Sequence, residues 1–168
     1  MTLGDDTVVV VREVRPEDAP ALRRLVGRLG ERSVYLRYFS PMRELSEKQA
    51  QRFAEVDGRD RLALVALDPD APREVVAVVR YERRKNDRDK AEYAAVVEDR
   101  FQGLGLGSGM TRVLIRAALR RDVRRLDALV LHENTAMLHL LKSLGLPEKT
   151  RWEDGVEHVE VDLSSDTA

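Results

Sequence analysis

The chain predicts an α/β (α+β) fold: a mixed, twisted sheet of about six to seven strands flanked by helices. Three observations predict it. Short β-branched runs alternate with amphipathic segments of helical period between residues 7 and 163. Breaker-rich turns separate them, as at Asp68 to Pro72 and at Asp154-Gly155, and no repeat or low-complexity tract interrupts the order. A chain of 168 residues with 43% hydrophobic content also suits one core, so a single domain is expected.

The elements follow in order. Thr7 to Val14 is β-branched and reads as a first strand. Arg15, Pro16, Glu17 and Asp18 open a helix in which Leu22, Leu25, Val26 and Leu29 recur at helical spacing. Glu31 to Tyr38 reads as a second short helix that Ser40-Pro41 breaks. Ser46, with Gln49 three positions on, forms a capping box ahead of a helix carrying Ala50, Phe53 and Ala54. Two strands come next, Arg61 to Leu67 and Glu74 to Tyr81, then an exposed polar turn at Arg83 to Asp89 and a fourth strand at Ala91 to Val97. The following helix places Met110, Val113, Leu114, Ala117 and Ala118 on its core face. Its arginines, Arg112, Arg116, Arg120 and Arg121, lie elsewhere, solvated or complementing the helix dipole, with Arg112 the candidate to reach a ligand phosphate. Leu126 to Leu131 forms a fifth strand, and Asn134 to Leu144 a last helix with Met137, Leu138, Leu141 and Leu144 inward. A hairpin from Lys149 to Leu163 closes the fold, and Ser164 to Ala168 is expected to fray.

Composition narrows the function classes. A formal net charge of −1 argues against general nucleic-acid binding, although the basic residues are mostly arginine. The absence of cysteine removes both a disulfide framework and a thiolate nucleophile. The opening residues, Met1 to Asp6, lack the basic and apolar regions of a signal peptide, so a cytoplasmic location without membrane attachment is expected. His139 and His158 lack metal-ligand spacing, and no catalytic metal is expected.

The chemistry concentrates where the fourth strand meets the next helix, at Gln102, Gly103, Leu104, Gly105, Leu106, Gly107 and Ser108. Glycines at alternate positions remove every second Cβ, so successive backbone N–H groups can converge on one anion, with the helix dipole behind them. The segment reads as a pyrophosphate cradle; a tight turn needing positive φ is the plainer alternative. It is no Walker loop, because no lysine follows Gly107, and it lies too far along the chain for a dinucleotide fingerprint.

Gln102, Gly105 and Gly107 fit the pattern Q/R-x-x-G-x-G/A, which resembles the acyl-CoA-binding signature of the GNAT family of N-acetyltransferases. A second block is similar too: from Asn134 the chain runs as a helix to Gly145, eleven residues on. This resemblance implies the GNAT fold, whose fourth and fifth strands splay apart to hold acetyl-CoA as acyl donor. It also implies coenzyme contacts from Gly103 to Ser108 and from Asn134, and carbonyl polarisation by backbone N–H groups around Val96 and Val97. Ser33 to Pro41 and Asp57 to Val65 resemble the acetyltransferase domain of bacterial protein lysine acetyltransferases, the Pat family, and the likeness runs over roughly residues 8 to 163. It implies direct acetyl transfer to a lysine on a protein partner, without the regulatory domain fused in several relatives. A small-molecule amine acetyltransferase or a non-catalytic acyl-CoA sensor are the alternatives, and monomer and dimer both remain open.

Such a reaction needs a base. A lysine ε-amine has a pKa near 10.4, so roughly one molecule in a thousand is nucleophilic near neutral pH. Glu92, ten residues before Gln102, shares a strand face with Ala94 and Val96 and matches the Pat family's general base. His132, at the end of the fifth strand, is the second candidate, whereas Glu98 reads as a dipole-complementing or solvent-facing carboxylate. Many relatives place a proton-donating tyrosine seven residues after the asparagine; here that position is Leu141, expected to pack in the core or wall the pantetheine.

Overall fold

Apolar content on both faces decides which strands sit centrally. In the computed structural model, which describes residues 1–30 and 45–165, β2 (Arg61–Asp68) buries every residue from Leu62 to Ala66. It lies between β1 (Val10–Glu13) and β3 (Ala71–Arg83), and β4 (Lys90–Val97), β5 (Arg125–Leu131), β7 (Val156–Asp162) and β6 (Glu148–Glu153) complete a seven-stranded sheet in the order β1-β2-β3-β4-β5-β7-β6. All neighbours run antiparallel except β4 and β5.

Helices cover both faces. On one, α3 (Leu106–Arg120) buries Met110, Leu114, Ile115 and Ala118 in a core shared with Val79, Tyr93, Ala95 and Val130. On the other, α1 (Ala19–Arg28) and α2 (Glu47–Ala54) pack Leu22, Leu25, Val26 and Ala50 against Val65, Val75 and Val96. The last helix, α4 (Thr135–Ser143), buries Leu141 and rests Met137, Leu138 and Leu140 on the first core.

The departures from the expected elements have local causes. The first strand shortens to Val10–Glu13 because Thr2 bridges Val8 in a separate turn that leaves both Val8 and Val10 exposed. β3 starts early because Pro69 and Asp70 alone make the turn. Pro16–Asp18 forms a tight 3-10 turn before α1 rather than its first turn. On α3, Val113 faces out while Thr111 and Ile115 face in. The tail's first residues are held: Ser164 donates its N–H and hydroxyl to Asp162, within a 3-10 turn over Leu163–Ser165. The Ser46–Gln49 capping box forms as the sequence requires, at 3.0 and 3.1 Å, and Asp154 and Gly155 take the positive φ angles of a two-residue hairpin turn. The helix expected at Glu31 to Tyr38, the Ser40-Pro41 break and residues 166–168 lie outside the described residues.

One buried polar chain fixes α3 on β4. Tyr93 Oη and Thr111 Oγ1 lie 2.7 Å apart, and the Thr111 hydroxyl donates to the Gly107 carbonyl at 2.7 Å. Burial raises the pKa of the Tyr93 phenol, so it stays protonated. Thr111→Val keeps the volume but leaves that phenol without its partner. It should lower stability by about 1–3 kcal/mol in chemical denaturation; an unchanged midpoint would remove the polar chain as an anchor.

Candidate active site

β4 and β5 pair over three residues only, Lys90 with Arg125, Ala91 with Leu126 and Glu92 with Asp127. Past Glu92 each strand keeps its other neighbour, β4 on β3 as far as Val97 and β5 on β7 as far as Leu131. The sheet therefore opens between them. The opening continues into a cleft of about 800 Å³ lined by β4, the glycine turn and α4, within the range of small-molecule sites.

Strand register decides which backbone groups face this opening. Glu98 donates to the Val76 carbonyl and Arg84 to that of Lys90, so the even-numbered residues of β4 are hydrogen-bonded to β3. Val96 N–H thus belongs to the β3 ladder, although the residue lines the cleft. The donors read at Val96 and Val97 must move: Ala95 and Val97 are the residues past the last β5 pair that turn N–H and C=O to the opening. Gln102 serves that edge indirectly, donating its Nε2 to the Val97 carbonyl at 2.9 Å.

The glycine turn divides its labour. Gly103 and Gly105 hold φ angles of 75° and 84°, and a Cβ at either would meet no atom within 4 Å, so the space before them is open. Gly107 is helical and needed for closeness, since a Cβ there would stand 2.8 Å from Leu140 Cδ1 and 3.4 Å from Val97 Cγ2. The first intrahelical bond of α3 runs from Gly109 N–H to the Gly105 carbonyl at 3.0 Å. The N–H groups of Leu106, Gly107 and Ser108 precede it and are left for an anion at the positive end of a 15-residue helix. The Leu106 side chain is core, and Leu104 accepts a bond from Gly4 N–H outside the cleft lining, so these two contribute backbone at most.

Asn134 caps α4, its Oδ1 accepting from Met137 N–H at 3.1 Å, and also lines the cleft. Arg112 turns away from any phosphate and donates to the Ser143 carbonyl at the end of α4. Leu141 is buried in the core.

At the mouth, the Glu92 side chain is 67% exposed and lies 3.7 Å from Arg84, which also meets Asp127 at 2.8 Å. Arg61, Arg80 and Glu82 extend this charged side of the cleft, beside Phe53 and Val56. His132 is exposed outside the cleft lining, edge-on to Trp152 with ring centroids 4.9 Å apart. Glu98 is buried, not solvent-facing, between Arg28 at 3.3 Å and Arg100 at 2.8 Å. Sequence reasoning passed over Tyr93, Thr111, Arg84 and Asp127; the one available signal was that Thr111 breaks an otherwise apolar helix face.

The profile described as Acetyltransferase (GNAT) domain matches residues 9–147. The chain belongs to the GNAT acetyltransferase family, which makes it an acyl-CoA-dependent N-acyltransferase. It is 29% identical over 145 residues to an acetyltransferase of Pseudomonas aeruginosa, across 86% of this chain and 77% of that one. It is 31% identical over 157 residues to the acetyltransferase Pat of Mycolicibacterium smegmatis, across 91% of this chain but 45% of Pat, so it spans less than half the length of that relative. The GNAT domain of S. lividans Pat superposes with a TM-score of 0.88 at 32% identity, covering 96% of this chain and 94% of that domain. A Salmonella typhimurium protein solved with its cofactor acetyl-CoA shares the fold, with a TM-score of 0.74 at 16% identity over 96% of this chain and 98% of that one. No helix among the described residues is long and apolar enough to cross a membrane, and no group of three or more His, Cys, Asp or Glu among them could hold a metal ion.

The cradle fits a pyrophosphate, with open space, glycine backbone and a helix N-terminus converging. Gly105→Glu should fill that space with like charge and abolish acetyl-CoA binding in calorimetry, whereas Gly105→Ala, which carries the backbone strain alone, should weaken it less. Unchanged affinity in the glutamate variant would remove the cradle.

Proposed function

We propose that this enzyme transfers acetyl from acetyl-CoA to the ε-amine of a lysine presented by another protein, by direct attack with Glu92 as general base. The observation that carries the proposal is the placement of Glu92: it is the last β4 residue paired to β5, exposed at the mouth, beyond which the cleft runs inward to the cradle. The resemblance of the sequence to the bacterial protein lysine acetyltransferases, together with likeness to the Pat GNAT domain over nearly the whole chain, supports a lysine acceptor.

The coenzyme supplies an acyl thioester. Gly103 to Ser108 would hold its pyrophosphate, with Asn134 lining the same cleft. The N–H groups of Ala95 and Val97 would carry the negative charge that develops on the carbonyl oxygen. Glu92 would take the proton that the amine loses as its nitrogen bonds to the acyl carbon; the C–S bond would then break, coenzyme A leaving as a thiolate that water protonates, and Glu92 would return its proton to solvent. No protein nucleophile is required, and the exposed charged rim suits a side chain reaching in from a protein surface.

Glu92→Gln keeps volume and polarity but removes the base. Folding and acetyl-CoA affinity should survive, while turnover on a lysine-bearing protein substrate falls about 10²- to 10⁴-fold near neutral pH, less at high pH where free amine is abundant. Normal turnover in this variant would overturn the base assignment.

A further inference from the structure

Glu92 belongs to a row of carboxylates. Register sets Glu82 opposite Glu92, Glu92 opposite Asp127, and Asp127 opposite Glu160, all on one face of β3, β4, β5 and β7. The outer two have cations of their own. Arg52 and Arg61 lie 3.4 and 3.8 Å from Glu82, and Lys90 and Arg125 lie 2.9 and 3.8 Å from Glu160. The inner two share one. Arg84 Nη2 lies 2.8 Å from Asp127 and 3.7 Å from Glu92, with Lys90 Nζ only at the 4.0 Å margin of Asp127.

That guanidinium is poorly satisfied. Arg84 Nε is buried with no hydrogen-bond partner, so the group is placed for its charge and not for a full set of bonds. Arg84, Glu92 and Asp127 all line the cleft, at the pair where the strands part. A second groove along β5, β7 and β6 shares Arg84, Asp127, Ala128 and Leu129 with it, so the acceptor side is open on two sides.

We infer that Glu92 and Asp127 together form the seat for the acceptor's ammonium, that Asp127 is its specificity-determining half, and that Arg84 fills the seat until an acceptor displaces it. The inference rests on the lysine reading above. An acceptor amine arrives mostly protonated and must lose that proton before it can react as a nucleophile. The two carboxylates divide that work. Glu92, largely exposed, can take the proton and release it to water, whereas the Asp127 side chain, 20% exposed on a strand paired on both sides, stays to hold the amine. A seat already occupied by a guanidinium selects for cationic acceptors, because a neutral amine offers nothing to replace the charge it must displace.

The probe is Nα-acetyl-lysine methylamide, with acetyl-CoA saturating and variants checked by circular dichroism and acetyl-CoA calorimetry. Asp127→Asn should raise the acceptor KM about tenfold with a smaller effect on kcat, and Asp127→Glu should recover part of the loss. Arg84→Gln should lower the acceptor KM by removing the competitor. The decisive comparison is Asp127→Asn made in the Arg84→Gln background. A seat still loses acceptor affinity there. If Asp127 merely anchored Arg84, the second substitution would change nothing, and that result would overturn the proposal, as would an unchanged KM in Asp127→Asn alone. Absence of transfer by the wild-type protein both to this probe and to lysines of protein acceptors would instead overturn the lysine reading, and the seat with it.

Discussion

The site depends on a broken strand pair. β5 leaves β4 after three residues because each is more strongly committed elsewhere. β4 pairs with β3 over seven residues and is tied past its end by the Glu98 N–H bond to Val76, while β5 pairs with β7 over seven residues. The N-terminus of α3 sits at the divergence, close to α4 through Gly107 and locked to β4 through Thr111 and Tyr93. Unpaired edge groups are ordinarily a liability that proteins cover. Here the uncovered stretch is short, lines a cleft and is backed by two helices, which suits it to a ligand.

The proposed anion site would consequently be made of backbone, and the arginines near it are engaged elsewhere. Arg112 satisfies the last carbonyls of α4, and Arg121 bonds the carbonyls of Gly58 and Ala117. Arg28 and Arg100 neutralise the buried carboxylates of Asp68 and Glu98 at the foot of β4. Burial opposes ionisation of Asp68, yet Arg100 and the N–H groups of Asp70 and Ala71 hold its pKa below the usual carboxylate range. Fixed N–H dipoles cost no reorganisation when an anion arrives, which flexible side chains cannot match.

Most of the fold was legible because its signals are local. Period-two and period-3.6 patterns located the strands and helices from β2 onward, and the capping box and the Asp154-Gly155 turn act within four residues. The glycine turn and Asn134 were legible as motifs, although the physical roles of their parts were not: Gly103 and Gly105 serve positive φ, Gly107 close packing. What escaped the sequence were quantities set by register. Whether Val96 or Val97 turns its N–H to the cleft depends on how β4 pairs with β3. That Asp127 stands beside Glu92 depends on a parallel pairing between residues 35 positions apart. Val113 was read as inward, but the buried stripe of α3 runs through Gly107, Met110, Thr111, Leu114, Ile115 and Ala118 and leaves Val113 just outside its edge.

The central claim, that coenzyme binding uses the free edge of β4, is tested most directly by amide hydrogen exchange with and without saturating acetyl-CoA. Exchange at Ala95 and Val97 should slow on binding, together with Leu106, Gly107 and Ser108, while Val96, already bonded to β3, should change little. Equal exchange at Ala95 and Val97 in the two states, or protection appearing first at Val96, would contradict the account.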